Sequence, residues 1–400
     1  MKIIITTAFC VVWASLVSGQ VTSVDSVTNE PLNAINNVIK GNTSSNITLG
    51  AYAQIDYNQP VGEGRNIGKM DIHRLVTFMG YRFNDRTHFV SEIEFEHVSE
   101  VYVEQAFINY NIHDAINFRA GLLLIPMGII NEYHEPTTYN GVERPNLEGK
   151  VIPTTWREMG IGFSGNLAPA ALKYQVYLVN GFNGYDGSGH FRGSDGFRKG
   201  RQKAAESYIS SPNLSVKLDY YGVQGLKVGA ALYSGKSQST LFRGISPANE
   251  TAWAVADSSV VNILMAGLDA RYQLNGITAR AMWVNTRIGN TPQYNAFTGS
   301  DLGSRMSGWY LEAGYDVLRL AKIKTDKRLV SFVRYEKYDT HKDVETPLQR
   351  NAAYNRTEVF MGVGFYLAPG AVLKADYQLF GNGLSVDYKR QLNFGIGIWF

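Results

Sequence analysis

The sequence predicts an all-β protein, a transmembrane antiparallel β-barrel of about 16 strands with short periplasmic turns and long extracellular loops. Three observations carry that prediction. From Ile47 to the C-terminus, apolar and polar residues alternate with a period of two. The connections between the alternating segments run long and short in turn. The face opposite the apolar one carries charge on most segments, which a sandwich core does not tolerate and a water-facing wall does. Composition agrees. The 400 residues include 40 Gly, 24 Tyr and 19 Phe, and 18% are charged, below the roughly 25% usual for soluble domains. A mean hydropathy of −0.17 excludes a bundle of membrane helices, and a single Cys excludes a disulfide scaffold. The near-balanced charge, net +3, gives no reason to expect a nucleic-acid partner.

The first element is a secretory leader at 1–19. Met1-Lys2 precedes an uncharged run from Ile3 to Val17, and Ser18-Gly19-Gln20 follows. Cleavage after Gly19 removes Cys10, so the exported chain has no Cys. Residues 20–46 are polar, with one short amphipathic helix expected at 31–40, and read as a periplasmic segment or a plug. The barrel domain is 47–400.

Sixteen strands follow at 47–57, 71–83, 88–97, 101–110, 117–124, 157–164, 171–180, 213–220, 226–235, 260–273, 277–286, 305–318, 328–338, 356–366, 371–380 and 390–400. In the eighth, Leu214, Val216 and Leu218 alternate with Ser215, Lys217 and Asp219. The segments 71–83 and 328–338 fit neither phase cleanly. Long connections fall at 58–70, 125–156, 181–212, 236–259, 287–304, 339–355 and 381–389. The short ones include Asn84–Thr87 and the Asn275-Gly276 turn. The one break in the parity is 98–100, short where a long loop is due. Sorting loop lengths by parity is what a bilayer-spanning meander requires. Backbone N–H and C=O groups have no water to bond in hydrocarbon, so the sheet must close on itself. Sixteen strands make a ring wide enough for an aqueous lumen. The inner face is expected to carry Arg74, Arg82, Glu92, Glu94, Glu96, Arg119, Lys173, Lys217, Asp219, Lys227, Asp269, Arg271, Arg280, Glu312, Asp316, Lys374 and Asp376. The chain ends on Leu392, Phe394, Ile396 and Ile398 at steps of two, then Phe400. A terminal aromatic residue on an alternating strand resembles the signal read by the barrel assembly machinery. Tyr57, Tyr110, Tyr220, Tyr315 and Tyr377 suit interfacial aromatic girdles.

One stretch carries a family likeness. Phe118-Arg119-Ala120-Gly121-Leu122, Ile125-Pro126-Met127-Gly128, Asn131-Glu132-Tyr133-His134-Glu135-Pro136, Glu143-Arg144-Pro145 and Pro153 to Gly160 resemble the phosphate-selective porin O and P family, in its less characterised branch. The preceding Glu104-Gln105-Ala106-Phe107 also matches. The likeness is sharp over about 70 residues and elsewhere rests on strand pattern alone. It implies a sixteen-stranded outer-membrane porin, usually a homotrimer, passing small hydrophilic solutes or ions, including anions such as phosphate. No row of Arg and Lys matches the family residue by residue, and inward carboxylates are as common here as inward bases.

In general porins the third loop narrows the lumen. By that analogy the connection 125–156 supplies a constriction from Glu132, His134, Glu135, Glu143, Arg144 and Glu148, with Arg74 and Arg119 facing it from the wall. A second loop, 191–203, is basic at Arg192, Arg198, Lys199, Arg201 and Lys203. It would attract anions at the outer mouth or bind lipopolysaccharide phosphates. Signals for catalysis are weak. Ser234-Gly235-Lys236-Ser237 lacks the upstream Gly of a phosphate-binding loop, the position being Ala230. No nucleophile elbow is found, and the seven His show no metal-ligand spacing. No enzyme and no cofactor are expected. The function expected from the sequence is passive diffusion through a bacterial outer-membrane porin. The alternative is a non-conducting barrel acting as adhesin, receptor or structural protein.

Overall fold

A computed structural model describes residues 45–400, except Arg65 and Asp114. The leader at 1–19, the helix expected at 31–40 and all but the last two residues of the 20–46 segment lie outside the described residues.

The strands are β1 (Ile47–Val61), β2 (Lys69–Arg82), β3 (Thr87–Glu96), β4 (Glu100–His113), β5 (Ile116–Leu124), β6 (Arg157–Leu167), β7 (Leu172–Val179), β8 (Asn183–Tyr185), β9 (Asn213–Val223), β10 (Leu226–Lys236), β11 (Gln238–Ser239), β12 (Asn262–Leu274), β13 (Ile277–Gly289), β14 (Arg305–Asp316), β15 (Arg328–Asp343), β16 (Asn355–Ala368), β17 (Ala371–Asn382) and β18 (Ser385–Trp399). All but β8 and β11 form one closed barrel, a ring in chain order. Its strands are those expected from the alternation. β8 and β11 make a small parallel pair in the loops. The ring closes where β1 meets β18 antiparallel, from Tyr52 opposite Trp399 to Val61 opposite Arg390. Phe400 completes the seam through backbone bonds in both directions with Ala51, at 2.8 and 2.9 Å.

The outward residues of each strand are apolar and exposed, among them Leu75, Ile161, Leu218, Leu268, Leu311, Met361 and Ile396. An apolar face exposed around a closed sheet is what a lipid-facing wall demands. Among the described residues no helix is long and apolar enough to cross a membrane. Of the aromatic residues placed in the girdles, Tyr110 and Tyr220 are exposed on the outside near the short-turn end.

Two features depart from expectation. The connection expected at 381–389 is a two-residue hairpin loop, since Asn382 pairs with Ser385. The Asn382 side chain accepts from the Leu384 N–H (2.9 Å), a local bond that favours a tight turn there, so the strands run on. With the short turn at 97–99, two connections on the long-loop end are therefore short. The second feature explains the unclear phase of 71–83. The β1–β2 register shifts between Gln54 and Ile55, whose partners are Arg74 and Ile72. His73 is the extra residue of this bulge, and the alternation changes phase there. In β15 the alternation is regular, but the inner face mixes Val330, Phe332 and Tyr338 with Arg334 and Glu336. That mixture hides the pattern from a count of polar and apolar residues.

The lumen is not a simple water-filled tube. Ile125, Met127, Ile129, Leu147, Val151, Ile152 and Trp156 of the connection between β5 and β6 are buried in one apolar cluster with inward residues such as Val76, Val284, Met306 and Tyr310. The expectation of a charged, water-facing inner wall is corrected here, because part of that wall is apolar and covered by this connection. A loop folded into the ring removes apolar wall residues from water, and burial of such surface is favourable at roughly 25 cal/mol per Å².

Candidate functional site

The connection 125–156 enters the lumen and is fastened to the wall by charged side chains. Its base is closed by Asn131, whose side chain donates to the carbonyls of Ile125 (2.6 Å) and Trp156 (2.8 Å) and accepts from the Trp156 N–H (2.7 Å). Trp156 stacks on Phe182 of the next long loop, with ring centroids 4.6 Å apart. Glu148 then holds the fold of the loop. It accepts from the N–H groups of Ile129 (2.8 Å) and Ile130 (2.7 Å) and from the Tyr310 hydroxyl (2.7 Å). Gly128, at φ +76, leaves room for that carboxylate; a Cβ there would lie 2.4 Å from Glu148 Oε2.

Wall residues from several strands reach the backbone of the loop. Lys217 Nζ donates to Gly128 O (2.8 Å) and pairs with Glu132 (2.9 Å). Lys374 Nζ donates to Tyr139 O (2.6 Å) and Gly141 O (2.8 Å). Asp376 accepts from Val142 N–H (2.6 Å), and Glu336 from Leu147 N–H (2.9 Å). Asn140 donates to Glu312 (2.9 Å), and Asn146 to Glu358 (2.6 Å). A loop inside a barrel carries backbone polar groups that must find partners away from bulk water. Of the charges expected on the lumen wall, Lys217, Lys374, Asp376 and Arg280 serve that need, and Glu336, which was not among them, does so too.

Between the loop and the wall of β1–β4 lies a cavity of about 230 Å³. Of the residues the sequence singled out for a constriction, Arg74, Glu143, Arg144 and Glu148 line it. Arg74 pairs with Glu94 (3.3 Å), Glu143 accepts from Asn58 (2.8 Å), and Arg144 donates to His134 O (2.9 Å). The other four are not among its lining residues. Glu132 is held by Lys217 and by Gln175 (2.6 Å). His134 is buried behind the cavity, 3.2 Å from Glu104 and 3.5 Å from Glu92. Glu135 is also buried. Arg119 donates to Asn109 (3.0 Å) and Tyr177 (2.9 Å). The basic loop divides in the same way. Arg198, Arg201 and Lys203 line the cavity, whereas Arg192 and Lys199 are exposed. Arg198 donates to Thr154 O (2.5 Å) and Arg201 to Thr155 O (2.8 Å), which ties this loop to the end of 125–156. Lys203 lies over the Tyr102 ring at 4.0 Å.

Sequence reasoning did not select Lys150 and Arg157, although Arg157 falls inside the family-like stretch. With them, seven Lys and Arg side chains face the cavity against four carboxylates, Glu94, Glu96, Glu143 and Glu148. The excess is positive, and it is felt by its members. Burial, and after it the neighbouring Arg201 and Arg157, pulls the Lys203 ammonium below its ordinary value. Burial, then Arg198 and Arg157, pulls Arg201 down as well. Cations short of counter-charge attract anions.

No family model matches the chain. An uncharacterised protein of Aquifex aeolicus (strain VF5) is 31% identical over 350 residues, which span 83% of this chain and 75% of that protein. Among solved structures the barrel is similar to the outer membrane channel DcaP of Acinetobacter baumannii, with TM-score 0.55 and 11% identity over 88% of this chain and 97% of that one. It is equally similar to OmpF of Salmonella typhi in a complex with daunomycin, with TM-score 0.55 and 12% identity over 88% and 97% of the two chains. An anion-selective porin from Comamonas acidovorans gives TM-score 0.54 and 11% identity over 88% and 99%. At these identities the likeness is one of fold. With the exposed apolar wall, that fold is a transmembrane β-barrel of the bacterial outer membrane.

Proposed function

The chain belongs to one family with the uncharacterised Aquifex aeolicus protein, and from its barrel and the basic cavity we propose that it is a narrow outer-membrane channel for small hydrophilic solutes that favours anions. The observation that carries this reading is the positive excess around the 230 Å³ cavity beside the inserted loop. Opposed charges across a narrow passage screen solutes by size and sign. Inorganic phosphate is the anion that the family likeness at 118–165 suggests. The same likeness supports a homotrimer, and the aromatic residue ending an alternating strand supports Phe400 as the mark read by the barrel assembly machinery. Arg192 and Lys199, exposed at the outer mouth, suit lipopolysaccharide phosphates. No catalysis is part of this reading.

Planar-bilayer recording of the purified protein in a salt gradient tests it. Small stepwise ohmic openings with a reversal potential on the anion side are expected, with phosphate reducing the chloride current. A second reading is favoured by the fastening of 125–156 to β9, β15, β16 and β17, around the ring. It is a non-conducting barrel serving as receptor, adhesin or structural protein. Silence of correctly inserted protein would select that reading and reject the channel.

A further inference from the structure

At the long-loop end of β1–β3 lies a His/Asp cluster, of which His73 also lines the cavity and Asp56 accepts from Gln54 at 3.3 Å. Asp56 of β1 is directly opposite Asp71 of β2. Like charges in a cross-strand pair repel and need compensation. The bulge turns His73 toward them, and its Nδ1 lies 3.0 Å from Asp56 Oδ2. One carboxylate oxygen of each Asp and one ring nitrogen of His73 lie within 4.8 Å of one another. A second imidazole arrives from the tight turn between β3 and β4. His97 has φ +50 and the following Val98 has φ +67, a region that L-residues, and β-branched ones above all, rarely occupy. This turn lets the His97 N–H donate to His73 O (3.2 Å) and sets Nδ1 2.5 Å from Asp71 Oδ2. The two imidazole rings are 5.4 Å apart. Asp71 also pairs with Lys69, at 3.1 Å and with a side chain 74% exposed.

We propose that Asp56, Asp71 and His73, joined by His97, bind a divalent transition-metal ion of the zinc class. Two imidazoles and two carboxylates are a mixed N/O donor set. It suits zinc and its neighbours, whereas magnesium and calcium take oxygen ligands. The ion takes the place of the contacts that each imidazole Nδ1 now makes with its carboxylate, the ring N–H then residing on the other nitrogen, and it neutralises the opposed Asp pair. His97 moves from Asp71 onto the metal, and Lys69 withdraws into water. The site does not depend on whether the barrel conducts.

The test is calorimetric titration of zinc chloride into the full exported chain, folded in detergent and stripped with a chelator. One zinc ion per chain is expected. The double variant H73A/H97A, and separately D71N, should weaken binding by at least about tenfold, with an unchanged far-UV spectrum. H190A, which removes the His paired with Asp186 elsewhere on the surface, should bind as the parent does. Absence of zinc binding by the parent, a parent-like isotherm for H73A/H97A, or equal affinity for magnesium would overturn the site.

Discussion

Arg74, Arg144 and Arg119 show how residues of one type on one barrel separate into different roles. Arg119 and Arg144 fall in the same family-like stretch of sequence. In the fold Arg144 faces the cavity, while Arg119 spends its donors on Asn109 and Tyr177 and lies over the Phe107 ring at 5.4 Å. A unit charge about 4 Å from a passing ion is worth about 1 kcal/mol even at the dielectric constant of water. R144A is therefore expected to lower the anion-to-cation permeability ratio by a factor of about 5 or less, since screening weakens the field at higher salt. R119A is expected to leave that ratio unchanged. Reversal potentials of the two variants in one salt gradient check this. A shift with R119A and none with R144A would move the selective region away from the cavity.

Among the elements, the inserted loop 125–156 concentrates the stabilising detail in a few acceptors. Replacing Glu148 by Ala leaves the Ile129 and Ile130 N–H groups and the Tyr310 hydroxyl without their partner. Each unsatisfied buried donor costs about 1–3 kcal/mol, so the loop should lose about 3 kcal/mol or more while the wall ladder stays paired. Limited proteolysis in detergent is expected to cut E148A within 125–156 and to spare the parent, with the far-UV spectrum unchanged. The strands themselves were legible because a wall between lipid and a polar interior forces a period of two over lengths set by the bilayer. Legibility failed where a local event interrupts that period. The bulge at His73 and the hairpin turn at Gly383-Leu384 are such events. The seat of the loop was not readable for a different reason. Lys374, Asp376 and Glu336 look like any lumen charges in sequence, and only the closed ring brings them to carbonyls and amides some 190 to 235 residues away in the chain. Four of the eight constriction candidates nonetheless line the cavity: Arg74 on the facing β2, and Glu143, Arg144 and Glu148 from the second half of the loop.

For the whole molecule, closure is the property that admits a sheet to a bilayer, because an open edge would leave a row of unpaired backbone groups in hydrocarbon. The seam between β1 and β18 supplies it, and its last two bonds run between Ala51 and Phe400. Deleting Phe400 removes both, at about 0.5–1.5 kcal/mol each. The β1–β18 pairing from Tyr52–Trp399 to Val61–Arg390 stays intact. A purely structural role thus predicts a small fall in stability and ordinary refolding into lipid vesicles. The Phe400 side chain faces outward, 64% exposed, so its loss creates no cavity inside the ring. If the terminal aromatic group is the mark read during assembly, the same deletion should sharply reduce the amount of barrel reaching the outer membrane of cells while vesicle refolding hardly changes. Comparing the two yields separates the roles. Equal losses in both would make Phe400 a fold residue, and a loss confined to cells would make it a recognition residue.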